Sequence, residues 1–222
     1  MNEPRVLVKI CCIRSQEEAE IAQRQGADAI GLISWMPSGD RFLSDPEIHE
    51  LAAANPNVER FLLTCKTDPD EIRDQVLGAG TDTVQLVERM AIADLKRLRS
   101  GLPGISLVQV VHVAGPAALQ QALDVERYVD FILLDSGNPE GPDRTLGGTG
   151  NVHDWRVSSE IVRAVQCPVF LAGGLGPDNV AQAIAEVAPF GVDVCSRLRP
   201  NGSLDEDLLK KFFDAIRDVP AA

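Results

Sequence analysis

Eight short apolar, β-rich runs alternate with eight helical stretches from one end of the 222-residue chain to the other. The runs lie at residues 6–11, 28–33, 60–64, 83–86, 106–111, 131–134, 169–172 and 192–195. The helical patterns lie at 16–25, 45–54, 69–77, 92–99, 116–123, 155–165, 177–187 and 204–216. Runs that are apolar on consecutive residues, not alternate ones, are expected where both faces of a sheet are covered. Strict alternation therefore predicts a parallel sheet with helices outside it. An open doubly wound sheet would satisfy the pattern, but eight successive units favour closure into a single (β/α)8 TIM barrel. No linker or composition shift interrupts the series, so residues 1–222 are read as one domain. Local signals agree: Ser15 and Ser44-Asp45-Pro46 stand where helices should start, and Gly26, Gly78 and Gly80 where they should stop.

Charge and cysteine usage narrow the class of protein. With 33 acidic residues against 21 basic ones, the net charge of −12 disfavours nucleic acid and anionic membranes as partners. Small anions remain possible ligands, because a few local donors outweigh a distant global charge. The five cysteines are odd in number, with two adjacent and none at C-x-x-C spacing. That pattern argues against a disulfide framework or a zinc site and for a reducing cytosol. No apolar run reaches membrane-spanning length. A cytoplasmic protein, monomer or homodimer, is the expectation.

In a barrel of this kind, polar residues at the C-terminal strand ends are the informative ones. Cys11 ends the first run and Asp135 follows the sixth, so both should project into the mouth. A thiolate and a protonated carboxyl facing each other can serve as base and acid. Apolar surroundings would raise the pKa of Asp135, and a nearby cation would lower that of Cys11. A packed thiol and a helix-capping carboxylate are the plainer alternative. Period-two alternation puts Lys9 on the face of Cys11, with Asp193 on the eighth run as its expected partner. Gly173-Gly174-Leu175-Gly176-Pro177 follows the seventh run and Ser196 the eighth, the usual phosphate-binding place in this architecture. Residues 136–154 form one long Gly- and Pro-rich connection holding Gly147-Gly148-Thr149-Gly150, expected to lie over the mouth as a functional loop.

Taken in order along the chain, these segments resemble the phosphoribosylanthranilate isomerase family. Val8-Lys9-Ile10-Cys11 is similar to that family's Val-Lys-Ile-Cys-Gly-Ile opening, and Arg41-Phe42-Leu43-Ser44 to its Arg-Tyr-Val-Ser segment. Val84-Gln85-Leu86, Leu133-Leu134-Asp135-Ser136, Gly147 to Gly150 with Asp154-Trp155, the segment from Leu171 to Leu175, and Gly191-Val192-Asp193-Val194 extend the resemblance over nearly the whole chain. It implies an Amadori rearrangement of N-(5-phosphoribosyl)anthranilate that requires no metal or organic cofactor. Asp135 would protonate the ribose ring oxygen and Cys11 would remove the C2 proton. Arg41 would hold the anthranilate carboxylate, Gln85 would lie near the substrate, and Gly173, Gly174 and Ser196 would bind the phosphate.

Four departures gather at the same mouth. The family's glycine after the catalytic cysteine is Cys12, at a place where glycine permits unusual backbone dihedrals. Its Gln-Leu-His-Gly reads Gln85-Leu86-Val87-Glu88, its Ser-Ser-Gly-Val-Glu reads Cys195-Ser196-Arg197-Leu198-Arg199, and its lysine after Gly-Thr-Gly is Asn151. Arg197 has three readings: a clamp on the substrate phosphate, an obstruction of its cradle, or a surface residue. Beside a working isomerase stand two alternatives, a paralogue for another phosphorylated sugar derivative and a non-catalytic homologue.

Overall fold

The computed structural model describes residues 5–37, 42–137, 152–217 and 219. Its elements alternate as expected: β1 (Leu7–Ile10), α1 (Gln16–Gln25), β2 (Ala29–Ile33), α2 (Asp45–Ala54), β3 (Glu59–Thr64), α3 (Pro69–Ala79), β4 (Thr83–Leu86), α4 (Ile92–Gly101), β5 (Ser106–His112), α5 (Ala117–Val125), β6 (Phe131–Asp135), α6 (Trp155–Ala164), β7 (Val169–Leu171), α7 (Val180–Val187), β8 (Gly191–Val194) and α8 (Glu206–Ile216). The eight strands are all parallel and close, with β1 pairing β8, into a barrel. Among the described residues no helix is long and apolar enough to cross a membrane.

Helix ends follow their side chains. Ser15 Oγ accepts the Glu18 N–H, and Asp68, Asp154 and Asp205 each accept backbone N–H groups of the first turn that follows them. Gly26 and Gly80 close α1 and α3 in the left-handed region, at φ +105° and +67°. Gly78 is no stop: it lies within α3, and Gly80 takes that role. Three helices start later than the apolar pattern suggests, at Ala117, Val180 and Glu206. In each case the residues ahead of them belong to the connecting turn.

The strands separate two apolar layers. Outward-facing Val8, Ile10, Ile30, Leu32, Leu62, Leu134 and Val192 pack under the helices. Inward-facing Ala29, Phe61, Leu63, Val108, Val110, Leu133 and Phe170 fill the barrel. At its N-terminal end Phe170 lies edge-on to Phe61, Phe131 and Phe190, with ring centroids 6.0, 5.6 and 5.7 Å away. Gly191 leaves the space that the Phe170 ring occupies. This plug closes the base, so chemistry is confined to the opposite end.

Candidate active site

Lys9 and Cys11, from the first strand and its exit, set the floor of the mouth together with Asp193 of β8. Lys9 points inward, is fully buried, and donates from Nζ to Asp193 Oδ2 at 2.8 Å. The pairing follows from barrel closure, which puts Lys9 directly opposite Asp193 in the β1–β8 register. Below it, the ammonium lies over the Phe61 ring at 5.1 Å. Cys11, the residue after β1, has its thiol within hydrogen-bonding reach of Lys9.

Gly31 of β2 makes room for both groups. A Cβ at that position would stand 2.8 Å from Cys11 Sγ and 3.2 Å from Lys9 Nζ. A glycine inside an apolar strand run often marks close approach by another group, and Gly31 is such a position.

Burial governs both proton-transfer groups. Desolvation pushes the Cys11 thiol up to about 11, and the Lys9 ammonium only partly offsets it. The expected lowering by a nearby cation is thus present but loses, because the cation is already neutralised by Asp193 and the whole cluster is dry. Asp135, at the end of β6, is pushed up to about 6, again chiefly by desolvation. The Ser136 N–H, donating to Asp135 Oδ1 at 2.7 Å, pulls the other way. Lys9 and Asp193 act electrostatically on both Cys11 and Asp135, so the four groups form one electrostatic cluster.

Gln85 projects inward from β4, is 4% exposed, and its Oε1 has no hydrogen-bond partner among the described residues. A buried acceptor left open in this way is suited to a ligand donor or a water. Gly173 and Gly174, after β7, both have positive φ, +86° and +62°. A Cβ on Gly173 would meet Ser136 N and His153 Nδ1, each at 3.0 Å. Glycine there lets the β6 and β7 exits approach each other. Ser196 opens a short 3-10 turn, Ser196–Leu198, directly after β8.

Arg197 turns to the β7–α7 connection. Its guanidinium donates to the Gly174 carbonyl at 3.2 Å and pairs with Asp178 at 2.8 Å, bracing the glycine turn. Arg199, where the family carries glutamate, goes under the site. Fully buried, it pairs with Glu18 of α1 at 2.7 Å and donates to the Cys11 carbonyl at 3.2 Å. Glu18 also accepts the Arg14 and Leu204 N–H groups, which ties α1 to the β8 exit. Arg41, Asn151 and Gly147-Gly148-Thr149-Gly150 lie outside the described residues.

The cysteine pattern requires a correction. Cys12 and Cys195 are joined as a disulfide with Cα atoms 6.1 Å apart, leaving Cys11, Cys65 and Cys167 free. Spacing rules look for neighbours in sequence, whereas these two are 183 residues apart and meet only because β1 closes on β8. Cys12 also has φ +63°, the left-handed backbone foreseen for a position where the family carries glycine.

The barrel agrees with what comparison with known proteins finds. The model of the N-(5'-phosphoribosyl)anthranilate (PRA) isomerase family matches residues 8–215. The chain belongs to this family. It is an isomerase of tryptophan biosynthesis, and its reaction is the Amadori rearrangement of N-(5-phosphoribosyl)anthranilate to the 1-deoxyribulose 5-phosphate product. The chain is 37% identical over 218 residues to the N-(5'-phosphoribosyl)anthranilate isomerase of Haloferax volcanii, covering 97% of this chain and 95% of that one. The phosphoribosyl anthranilate isomerase structure from Thermotoga maritima superposes with a TM-score of 0.82 at 29% identity, covering 96% of this chain and 98% of that one. A solved phosphoribosyl anthranilate isomerase in complex with reduced 1-(o-carboxyphenylamino)-1-deoxyribulose 5-phosphate gives 0.79 at 27% identity over the same shares.

Proposed function

We propose that Asp135 and Cys11 are the acid and base of this isomerisation. The observation that carries the assignment is the buried Lys9–Asp193 ion pair, which acts electrostatically on both the Cys11 thiol and the Asp135 carboxyl at the C-terminal end of the barrel. Asp135 gives its proton to the ribose ring oxygen as the C1–O bond breaks. The anilino nitrogen lone pair then forms the C1=N bond of a cationic imine. The Cys11 thiolate takes the C2 proton, the C–H electrons form C1=C2, and the nitrogen is neutralised in the enolamine. Tautomerisation of the enolamine gives the ketone.

The resting thiol is protonated, so the substrate must help to ionise it. A unit cation about 4 Å away, at an effective dielectric of about 20, is worth about 4 kcal/mol, or roughly a thousandfold in acidity. The cationic imine supplies that charge only after Asp135 has acted, which orders the two proton transfers. No metal or organic cofactor takes part, because the imine itself accepts the electrons.

Recognition is assigned to the residues around this pair. Arg41 binds the anthranilate carboxylate and Gln85 offers its open acceptor to a substrate hydroxyl or N–H. Gly173, Gly174 and Ser196 hold the phosphate through backbone N–H groups and the hydroxyl. Arg197 contributes as well, by its positive charge beside the Gly174 turn. The enzyme works in the cytoplasm on this small phosphorylated substrate, as a monomer or homodimer.

The test is turnover of freshly prepared phosphoribosylanthranilate, followed by loss of its fluorescence. Cys11→Ser and Asp135→Asn are expected to lower kcat by 100-fold or more, in the range general acid–base groups contribute. Folded variants that retain a tenth of the activity would remove the assigned roles.

A further inference from the structure

Cys12 is bonded to Cys195, and each is the immediate neighbour of a residue assigned above to the reaction. Cys12 follows Cys11, and Cys195 precedes Ser196. The bond spans the seam where the barrel closes, just beyond the Ile10–Val194 register pair and the hydrogen bond from Cys11 N–H to Val194 O at 2.9 Å. Cys12 is buried and Cys195 half-buried at the mouth.

Position 12 is one of two described non-glycine residues with positive φ, the other being Ala188 at a helix end. A side chain disfavours that backbone, and here the bond to β8 holds it. Cleaving the bond frees Cys12 to relax toward negative φ. That rotation turns the peptide joining it to Cys11 and loosens the β8 exit that carries Ser196. The Arg199 hydrogen bond to the Cys11 carbonyl restrains the same peptide from below.

We propose that Cys12 and Cys195 form a reversible dithiol–disulfide pair that positions the Cys11 thiol and the Ser196 phosphate contact, making turnover dependent on thiol redox state. The proposal rests on the roles assigned to Cys11 and Ser196. Its chemistry is thiol–disulfide exchange with a small-molecule disulfide. One cysteine thiolate attacks that disulfide, forming a mixed disulfide and releasing one thiolate. The second cysteine thiolate attacks the protein sulfur of the mixed disulfide, closing the Cys12–Cys195 bond and releasing the other. The two cysteines lose two protons and two electrons, and the small disulfide is reduced to two thiols. A dithiol reductant reverses the sequence.

Full-length protein is equilibrated with oxidised glutathione or with dithiothreitol, then denatured and alkylated with iodoacetamide. Three adducts are expected from the oxidised form, on Cys11, Cys65 and Cys167, and five from the reduced form. Reduction should lower kcat/KM about tenfold and reoxidation should restore it, a loss consistent with sub-ångström misplacement of a reacting group. Cys12→Gly and Cys195→Ala should each show the same kcat/KM in both buffers. Five adducts from the oxidised sample, equal wild-type kcat/KM in the two buffers, or a response that persists in Cys12→Gly would each overturn the proposal. If folded protein turns over no substrate in either buffer, the roles of Cys11 and Asp135 fail. The dissociation constant of inorganic phosphate in the two buffers then decides the staple separately: a weaker constant on reduction supports it and an unchanged one refutes it.

Discussion

Replacing Asp135 by asparagine should abolish turnover and at the same time stabilise the fold. The carboxyl is raised from 3.8 to about 6 by desolvation, so ionising it works against the native state. The sign follows from linkage. Below about 3.8 the group is protonated whether folded or not, and there is no penalty. Between about 3.8 and 6 the unfolded chain ionises first, and above about 6 the full penalty is present. A pKa difference of about 2 corresponds to about 3 kcal/mol. Asparagine keeps an oxygen to accept the Ser136 N–H and carries no charge, so Asp135→Asn should recover about 2–3 kcal/mol at pH 8. For a chain of this length that raises Tm by about 4–12 °C. At pH 4.5, where the native carboxyl is already mostly protonated, the gain should shrink to about 1 kcal/mol or less. Urea unfolding of both proteins at the two pH values measures it. A variant no more stable at pH 8, or a gain undiminished at pH 4.5, would refute the desolvation argument and with it the physical basis for Asp135 as acid.

Lys9→Met leaves Asp193 buried without its partner and should cost about 3–5 kcal/mol, whereas a Lys9→Met, Asp193→Leu double variant should regain most of that. Urea midpoints of the three proteins decide it, and equal losses in single and double variants would contradict an isolated pair. Gly31→Ala puts a methyl 2.8 Å from Cys11 Sγ. Overpacking should cost about 1–3 kcal/mol and the displaced thiol should lower kcat at least tenfold; a fully active variant would show that the cavity gives way. The active form has its proton on Asp135 and none on Cys11, the reverse of the resting distribution at neutral pH. The product of those two fractions is level between about 6 and 11, so kcat/KM should be flat from pH 6.5 to 9 and fall below about 6. A tenfold fall in kcat/KM from pH 7 to 9 would place the thiol far below the assigned value.

The order of elements was legible in the chain because strand and helix patterns are local. Consecutive apolar residues such as Phe131-Ile132-Leu133-Leu134 mark a doubly covered strand wherever they occur, and Ser15 or Asp205 caps a helix with groups three residues away. Cys11, Asp135, Gly173, Gly174 and Ser196 could be picked out because a barrel puts its strand ends at one mouth. Period-two alternation even reached across the closure to pair Lys9 with Asp193.

Other features depend on contacts between segments far apart in sequence. Cys12 meets Cys195 only across the β1–β8 seam, and no spacing rule covers 183 residues. Glu18 and Arg199 come together beneath the Cys11 carbonyl from α1 and the β8 exit, and Arg197 finds Asp178 instead of pointing at solvent. The thiol pKa is decided the same way. A lysine two residues away suggests a lowered value, but Asp193 neutralises that charge and burial then raises the thiol to about 11. Sequence by itself determined the repeating units, their order and the side chains at the strand ends. Tertiary structure decided which distant side chains meet and how dry they are, because desolvation and pairing are properties of the closed barrel and not of any segment within it.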